Sequence, residues 1–210
     1  MRILITAGGT REYIDPVRFI SNASSGRMGY ALARAALKAG HKVTLITTPT
    51  SLHIPDGARV VRVETTAEMF EAVKKHFEKC ECLIMAAAVA DYTPCRKSKV
   101  KIKKERGSLT IKLKPTVDIL KWAGSHKGVE GKKRIIVGFA LEDKNLRKNA
   151  ERKLKEKNLD MIIANTPGAI DSEKSSVQIK AAGFDWIEVS NKSKITIAKR
   201  IIYLVANLGE

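Results

Sequence analysis

Short apolar runs bounded by glycine, proline or polar clusters alternate along the chain with longer stretches of helical apolar spacing. Residues 2–7 (RILITA) form such a run, closed by Gly8 and Gly9, and predict a buried strand. A polar, irregular stretch follows from Thr10 to Ser25. Gly26 to Gly40 predicts a helix, with Met28, Ala31, Leu32, Ala35 and Leu37 on one broad face and Gly40 at its end. Residues 42–47 predict a second strand and 60–64 a third, with Pro49 and Pro55 marking the loop between them. From Thr66 to Phe77 the pattern is helical: Thr66 is the expected cap, and Met69, Phe70, Val73 and Phe77 share a face.

Residues 82–90 (CLIMAAAVA) predict a central strand, 135–139 another, 145–157 a lysine-rich helix and 161–164 a further strand. This alternation predicts an α/β fold, a parallel sheet with helices on both faces. The carboxyl end departs from it: residues 177–180 and 186–189, separated by Gly183, predict an antiparallel hairpin, followed by a helix over 193–208. A second departure spans 95–115. There Val100 and Ile102 alternate with lysines, Leu109, Ile111 and Leu113 repeat the pattern, and Gly107-Ser108 lies between. A two-stranded hairpin is marginal alone, so the apolar face of this arm needs cover, either from the body or, as preferred here, from a second subunit.

The full length fits a single domain over 1–210. No apolar run approaches the roughly 20 residues that cross a bilayer, and Met1 enters the first strand without a leader pattern, so a cytoplasmic protein is expected. Cys80, Cys82 and Cys95 are odd in number. Cys80-Glu81-Cys82 is too short for a zinc pair, and His41, His53, His76 and His126 are scattered, so spacing assigns no metal ligands. The formal charge is +17, from 39 basic and 22 acidic residues. It points either to anionic partners, whether nucleic acid or phosphorylated small molecules, or only to solvated helix surfaces.

Several residues could carry chemistry. Gly9 closes the first strand, and Ser24-Ser25-Gly26-Arg27-Met28-Gly29 opens the first helix, where unpaired amides bind phosphate. The spacing is not a dinucleotide fingerprint, and no Walker lysine is present. In the polar loop, Arg18 could grip a carboxylate or phosphate, or simply pair with Asp15. Asn22 could orient an acyl group, or cap the next helix. Asp91, Asp118 and Phe139 are expected at carboxyl edges of the sheet, where α/β proteins collect ligands. Lys153 and Lys157 lie one helical turn apart and can reach one anion, although helix lysines are usually solvated.

These blocks, taken in order, resemble the phosphopantothenoylcysteine synthetase family. The resemblance rests on Gly8-Gly9-Thr10-Arg11-Glu12, Ile14 through Asn22, Ser24 through Gly29, Ala86 through Tyr92, and Lys101-Ile102-Lys103-Lys104. It continues through Val137-Gly138-Phe139-Ala140, Lys157-Asn158-Leu159-Asp160 and Ala164-Asn165. It implies a modified Rossmann-like fold, a homodimer, and a magnesium-dependent reaction in which a nucleoside triphosphate activates the carboxylate of 4'-phosphopantothenate before L-cysteine forms the amide. By position it implies Asn22, Arg18 and Lys101 as catalytic residues, with Lys101 on a flexible arm. It further implies contacts to the nucleotide or substrate from Gly9, Ser24, Ser25, Gly26, Ala87, Asp91, Val117, Asp118, Ile119, Leu120, Phe139, Lys153 and Lys157. CTP is the expected nucleotide, as in bacterial members. ATP is the alternative, because Thr116-Val117 stands where many members have an asparagine-proline pair. The decarboxylase often fused ahead of such a domain is expected as a separate partner or as a part from which this one was cut. Neither a membrane nor nucleic acid is expected as a partner.

Two other readings follow from the residues alone. A nicotinamide-dependent oxidoreductase would suit the α/β order, yet Tyr30 and Tyr92 are each followed four positions later by arginine, not by the lysine such enzymes use. A basic RNA-binding module would suit the charge, yet the lysine arm lacks the aromatic residues on which bases stack.

Overall fold

The first apolar run builds β1 (Arg2–Ala7) as predicted, and the polar loop after it contains a small hairpin, β2 (Arg11–Tyr13) and β3 (Phe19–Ser21). Then come α1 (Arg27–Lys38), β4 (Lys42–Thr47), β5 (Arg59–Arg62), α2 (Thr66–Phe77), β6 (Cys82–Met85) and the pair β7 (Tyr92–Pro94) and β8 (Leu113–Pro115). The remainder is α3 (Ile119–His126), β9 (Ile135–Leu141), α4 (Leu146–Glu156), β10 (Met161–Asn165), β11 (Lys174–Ala181), β12 (Ile187–Ser193) and α5 (Lys194–Leu208). The structure is a computed structural model that describes residues 1–104, 106–128, 131, 133–166, 168 and 174–208. Position 105 of the predicted arm and positions 209–210 of the predicted domain lie outside them. No helix among the described residues is long and apolar enough to cross a membrane.

Among the described residues eight strands form one sheet in the order β12-β11-β10-β9-β6-β1-β4-β5. β5 through β10 in that order are parallel, whereas β11 and β12 join antiparallel, as the carboxyl-terminal pattern predicts. Strand alternation sorts the core into two layers. Ile3, Ile5 and Ala7 of β1 pack with α1 and α5 on one face; Leu4 packs with α2, α3 and α4 on the other. The fold is Rossmann-like. The chain runs outward from β1 to β4 and β5, then returns through α2 to β6 on the other side of β1, so the carboxyl ends of β1 and β6 flank a topological switch point.

Several sequence expectations need correction. β6 ends at Met85 rather than at Ala90. Beyond it, small alanines and hydrogen bonds to the end of β1 and the loop after it replace a continuous ladder. The Ala87 amide donates to Thr6 Oγ1 (3.1 Å), the Ala88 amide to the Gly8 carbonyl (2.8 Å) and the Ala90 amide to Thr10 Oγ1 (2.9 Å). The cap of α2 is Thr65, which accepts from the Glu68 amide at 3.2 Å while Glu68 reaches back to the Thr65 amide. Thr66, buried, instead donates its amide to Glu12 at 2.8 Å and joins Thr10 at 3.0 Å. The arm also differs. Its ladder lies at the root, pairing Tyr92 with Pro115 and Pro94 with Leu113, and not over 100–104 and 109–111. Lysines on both flanks would face one another across the predicted ladder, and like charges oppose such pairing.

Candidate functional site

A cleft of about 540 Å³ opens at the carboxyl edge of the sheet, where β1 and β6 diverge. One wall is the start of α1. Gly26 caps that helix with φ 77°, a left-handed conformation that glycine adopts without strain, and a Cβ there would lie 3.2 Å from the Gly8 amide nitrogen. The first helical bond is donated by Tyr30 to the Gly26 carbonyl (3.1 Å), and no acidic residue sits in the first turn, so the amides before Tyr30 present positive charge to the cleft.

Asn22 enters from the loop after β3. Its Nδ2 donates to the Val89 carbonyl at 3.0 Å, which ties it to the segment after β6 and fixes the orientation of its amide. It does not cap α1. Gly9 lies beneath it: a Cβ on Gly9 would come within 2.8 Å of the Asn22 carbonyl oxygen, so glycine permits the close approach of the two loops. Asn22 and Asp91 therefore line the same cleft.

The opposite wall comes from the other face of the sheet. Asp118 is not at a strand edge but caps α3, a helix the sequence pattern missed, by accepting from the Lys121 amide at 2.9 Å. Phe139 lies inside β9 and not at its end. Lys157 Nζ pairs with Asp118 at 2.7 Å, and Lys153 Nζ lies 3.8 Å from Glu142. Burial alone would raise the Asp118 carboxyl, but the Lys157 ammonium and the Lys121 amide outweigh it and hold the group below its ordinary value. Lys153 is shifted downward, first by burial and then by the neighbouring Lys157 ammonium; Glu142, Asp91 and Asp118 offset this only in part. The sign sets a prediction. The Lys153 ammonium is present below its lowered pKa and is lost as pH rises through it. Affinity of this wall for a polyphosphate anion should begin to fall at a pH beneath the 10.5 of an ordinary lysine. Lys153→Met should remove that alkaline limb and weaken neutral-pH binding about tenfold, both read by inorganic pyrophosphate titration across a pH series.

Of the residues singled out from sequence, Asn22, Ser24, Ser25, Gly26, Ala87, Asp91, Val117, Asp118, Ile119, Leu120, Phe139, Lys153 and Lys157 line this cleft. Gly9, Arg18 and Lys101 do not. Arg18 pairs with Asp15 (3.1 Å) and donates through Nη2 to the Ile102 carbonyl (2.9 Å). Asp15 is buried and accepts from the amides of Val17 and Arg18 (2.8 Å each) and of Ile102 (3.1 Å). The pair thus clamps the arm beside Lys101. Burial would raise the Asp15 carboxyl, but those three amides and the Arg18 guanidinium bring it below its ordinary value. The clamp should hold above the ordinary carboxylate range and release as pH falls through the lowered value. Asp15→Asn should loosen it at neutral pH, since an amide nitrogen cannot accept. The expected readout is several-fold faster tryptic cleavage at Lys101, Lys103 or Lys104, and an unchanged rate would argue against the clamp.

Met28 and Asn165, from blocks quoted above, also line the cleft, as do Leu141, Ser175 and Lys194, which sequence reasoning missed. Ser175 and Lys194 belong to the carboxyl-terminal hairpin and helix, whose pattern reads only as framework. Cys80 and Cys82 are buried away from it, and burial pushes the Cys80 thiol up to about 12. Among the described residues no group of three or more His, Cys, Asp or Glu side chains could hold a metal ion.

Comparison with known proteins supplies context. The family model for the DNA/pantothenate metabolism flavoprotein C-terminal domain matches residues 1–208. The chain is 49% identical over 164 residues to the coenzyme A biosynthesis bifunctional protein CoaBC of Bacillus subtilis (strain 168), covering 78% of this chain and 39% of that protein. It is 44% identical over 213 residues to a cysteine/cysteine sulfinic acid decarboxylase from an unknown prokaryotic organism, covering 97% of this chain and 58% of that protein. The chain thus spans about half the length of the curated relatives it matches. Among solved structures, the crystal structure of the C-terminal domain of a CoaBC protein superposes with a TM-score of 0.84 at 38% identity, covering 99% of this chain and 94% of that one.

Proposed function

The chain belongs to the DNA/pantothenate metabolism flavoprotein C-terminal domain family, and from that membership we propose that it joins 4'-phosphopantothenate to L-cysteine, a step of coenzyme A biosynthesis driven by a nucleoside triphosphate. One observation carries the reading. Asn22, the amides that open α1, and the Lys153–Lys157 pair all face one cleft at the switch point of the sheet. A carboxylate is a poor acyl donor. Attack of its oxygen on the α-phosphate breaks the bond to pyrophosphate and leaves an acyl-nucleotide, whose mixed anhydride has the leaving group the acid lacks. The cysteine amine then attacks the acyl carbon, the nucleoside monophosphate departs, and the amine loses its proton as the amide forms.

The roles of the side chains follow from their surroundings. The α1 amides and Ser24-Ser25-Gly26 suit phosphate oxygens. Lys153 and Lys157 would trade their carboxylate partners for the nucleotide. Asn22, oriented by Val89, would hold the acyl group. Magnesium fits as an ion carried on the triphosphate, since it keeps several waters and takes one or two carboxylates plus phosphate oxygens; Asp91 is the cleft carboxylate suited to it. It would offset phosphate charge.

CTP is the proposed nucleotide. Lys101 does not line the cleft of its own chain, and Val17, Tyr92, Val100, Leu109 and Leu113 are exposed on the arm and its neighbouring hairpin. A homodimer would cover them and deliver Lys101 to the partner cleft, where its ammonium would offset charge on the leaving pyrophosphate. A phosphopantothenoylcysteine decarboxylase, fused or separate, is the proposed partner that consumes the product.

The test combines the protein with magnesium, 4'-phosphopantothenate, cysteine and each triphosphate in turn, and follows pyrophosphate. Release is expected to require the phospho-acid and to be fastest with CTP; a protein that releases none with any triphosphate would refute the assignment. Mixing two inactive variants, Asn22→Asp and Lys101→Gln, should restore a fraction of activity through mixed dimers with one intact cleft. A persistently monomeric, fully active protein would rule out the dimer.

A further inference from the structure

β11 carries the core-facing row Ser175, Val177 and Ile179. The two apolar members pack beneath α5. Ser175 stands at the end of the row nearest the cleft. It is a hydroxyl where the alternation calls for an apolar side chain, and it is 6% exposed. The ladder to β12 shifts register between Ser175 and Val177, an irregularity of the kind that re-aims a side chain. The Ser175 hydroxyl accepts from Lys194 Nζ at 3.3 Å, and both residues line the cleft.

Lys194 is the first residue of α5, and no acidic residue sits in that first turn. A cation at the positive end of a helix opposes the macrodipole, so local preference argues against lysine here. Sites that depart from a local preference are often functional. The topology explains what Lys194 faces. β12 runs parallel to β10, so α5 begins at the same edge of the sheet as α1, and the two helices pack together on one face. Lys153 and Lys157 stand on the other face. The cleft therefore has cations on both walls. That suits a reaction centre taking two phosphorylated compounds at once.

We propose that Lys194, aligned by the buried hydroxyl of Ser175, forms a phosphate-binding subsite on the α1–α5 wall of the cleft, across from Lys153 and Lys157. Ser175 is a positioning residue that acts through Lys194. The subsite rests on the functional reading above and names a part of it. Its phosphate belongs either to the terminal groups of the nucleotide or to the phospho-acid.

The experiment uses the whole protein with three probes titrated separately: CTP, inorganic pyrophosphate and 4'-phosphopantothenate. Lys194→Gln should weaken the phosphate it holds about tenfold to a hundredfold, and Lys194→Arg should retain most of the affinity. Weakening of CTP and pyrophosphate alone would place the nucleotide's terminal phosphates there; weakening of 4'-phosphopantothenate alone would place the acid's phosphate there. Both outcomes support the subsite. Ser175→Ala should cost about threefold to tenfold in the wild-type background and nothing further in Lys194→Gln, while Ser175→Thr restores binding. Unchanged affinity of Lys194→Gln for all three probes, with wild-type melting temperature, would overturn the inference and leave the functional reading intact. A wild-type protein that binds none of the probes would overturn both.

Discussion

Asn22→Asp is expected to lower amide formation by about a hundredfold to a thousandfold while the protein still releases one equivalent of pyrophosphate. The asparagine amide donates to the Val89 carbonyl at 3.0 Å, leaving its own carbonyl oxygen turned away from that bond. A carboxylate cannot make this donation. It would set two acceptors against each other, turn out of position, and bring a negative charge beside the acyl phosphate. Activation depends chiefly on the phosphate-binding elements and should survive, whereas attack by cysteine should stall. Acid quenching and mass spectrometry of the bound fraction should then find the acyl-nucleotide at close to one per site. Full amide synthesis by this variant would remove Asn22 from the chemistry.

Gly124→Ala should be the most damaging small change outside the cleft lining. Gly124 lies in α3 where that helix meets the end of α4, and a Cβ there would stand 1.8 Å from the Lys157 carbonyl oxygen and 2.9 Å from its carbon. Both are backbone atoms, so relief requires the helices to separate. Overpacking of this kind costs about 3 kcal/mol, which for a chain of this size is a fall of about 6–12 °C in melting temperature. The same displacement would pull Lys157 from its 2.7 Å bridge to Asp118, so triphosphate binding should weaken even where the variant stays folded. Gly128→Ala is the control, since nothing lies within 4 Å of a Cβ there, and it should change stability by less than about 0.5 kcal/mol. Equal melting temperatures for the two variants would show that α3 and α4 are not packed this closely.

The candidate site was partly legible before folding was considered. The α1 opening was readable as a glycine-bearing connection that suits either a phosphate or a tight turn, and Lys153 and Lys157 as neighbours on one helical face, where spacing by itself favours solvated lysines; the order of the quoted blocks, not these features singly, pointed to a site. Arg18 and Lys101 were legible as residues but not as places. Local sequence shows that Arg18 can reach Asp15, not that the pair closes on an amide and a carbonyl of Ile102, more than eighty positions away. Ser175 and Lys194 left no functional trace, because their meeting depends on a ladder shift and on where the last helix begins. α3 was missed because its eight residues include Gly124, Ser125 and His126, weak helix formers held in place by packing and by the Asp118 cap.

The alternation of short apolar runs with amphipathic stretches by itself determined an α/β protein, the antiparallel turn at its carboxyl end and the strands of its core. Each of those features arises from side-chain periodicity within a single element, which local spacing encodes directly. Strand order, the switch between β1 and β6, and the cleft that the switch creates were decided only in three dimensions. They depend on contacts between segments far apart in the chain: β1 must lie between β4 and β6 before Asn22 can meet Val89, and α5 must pack on α1 before Lys194 can face Lys153 across one opening.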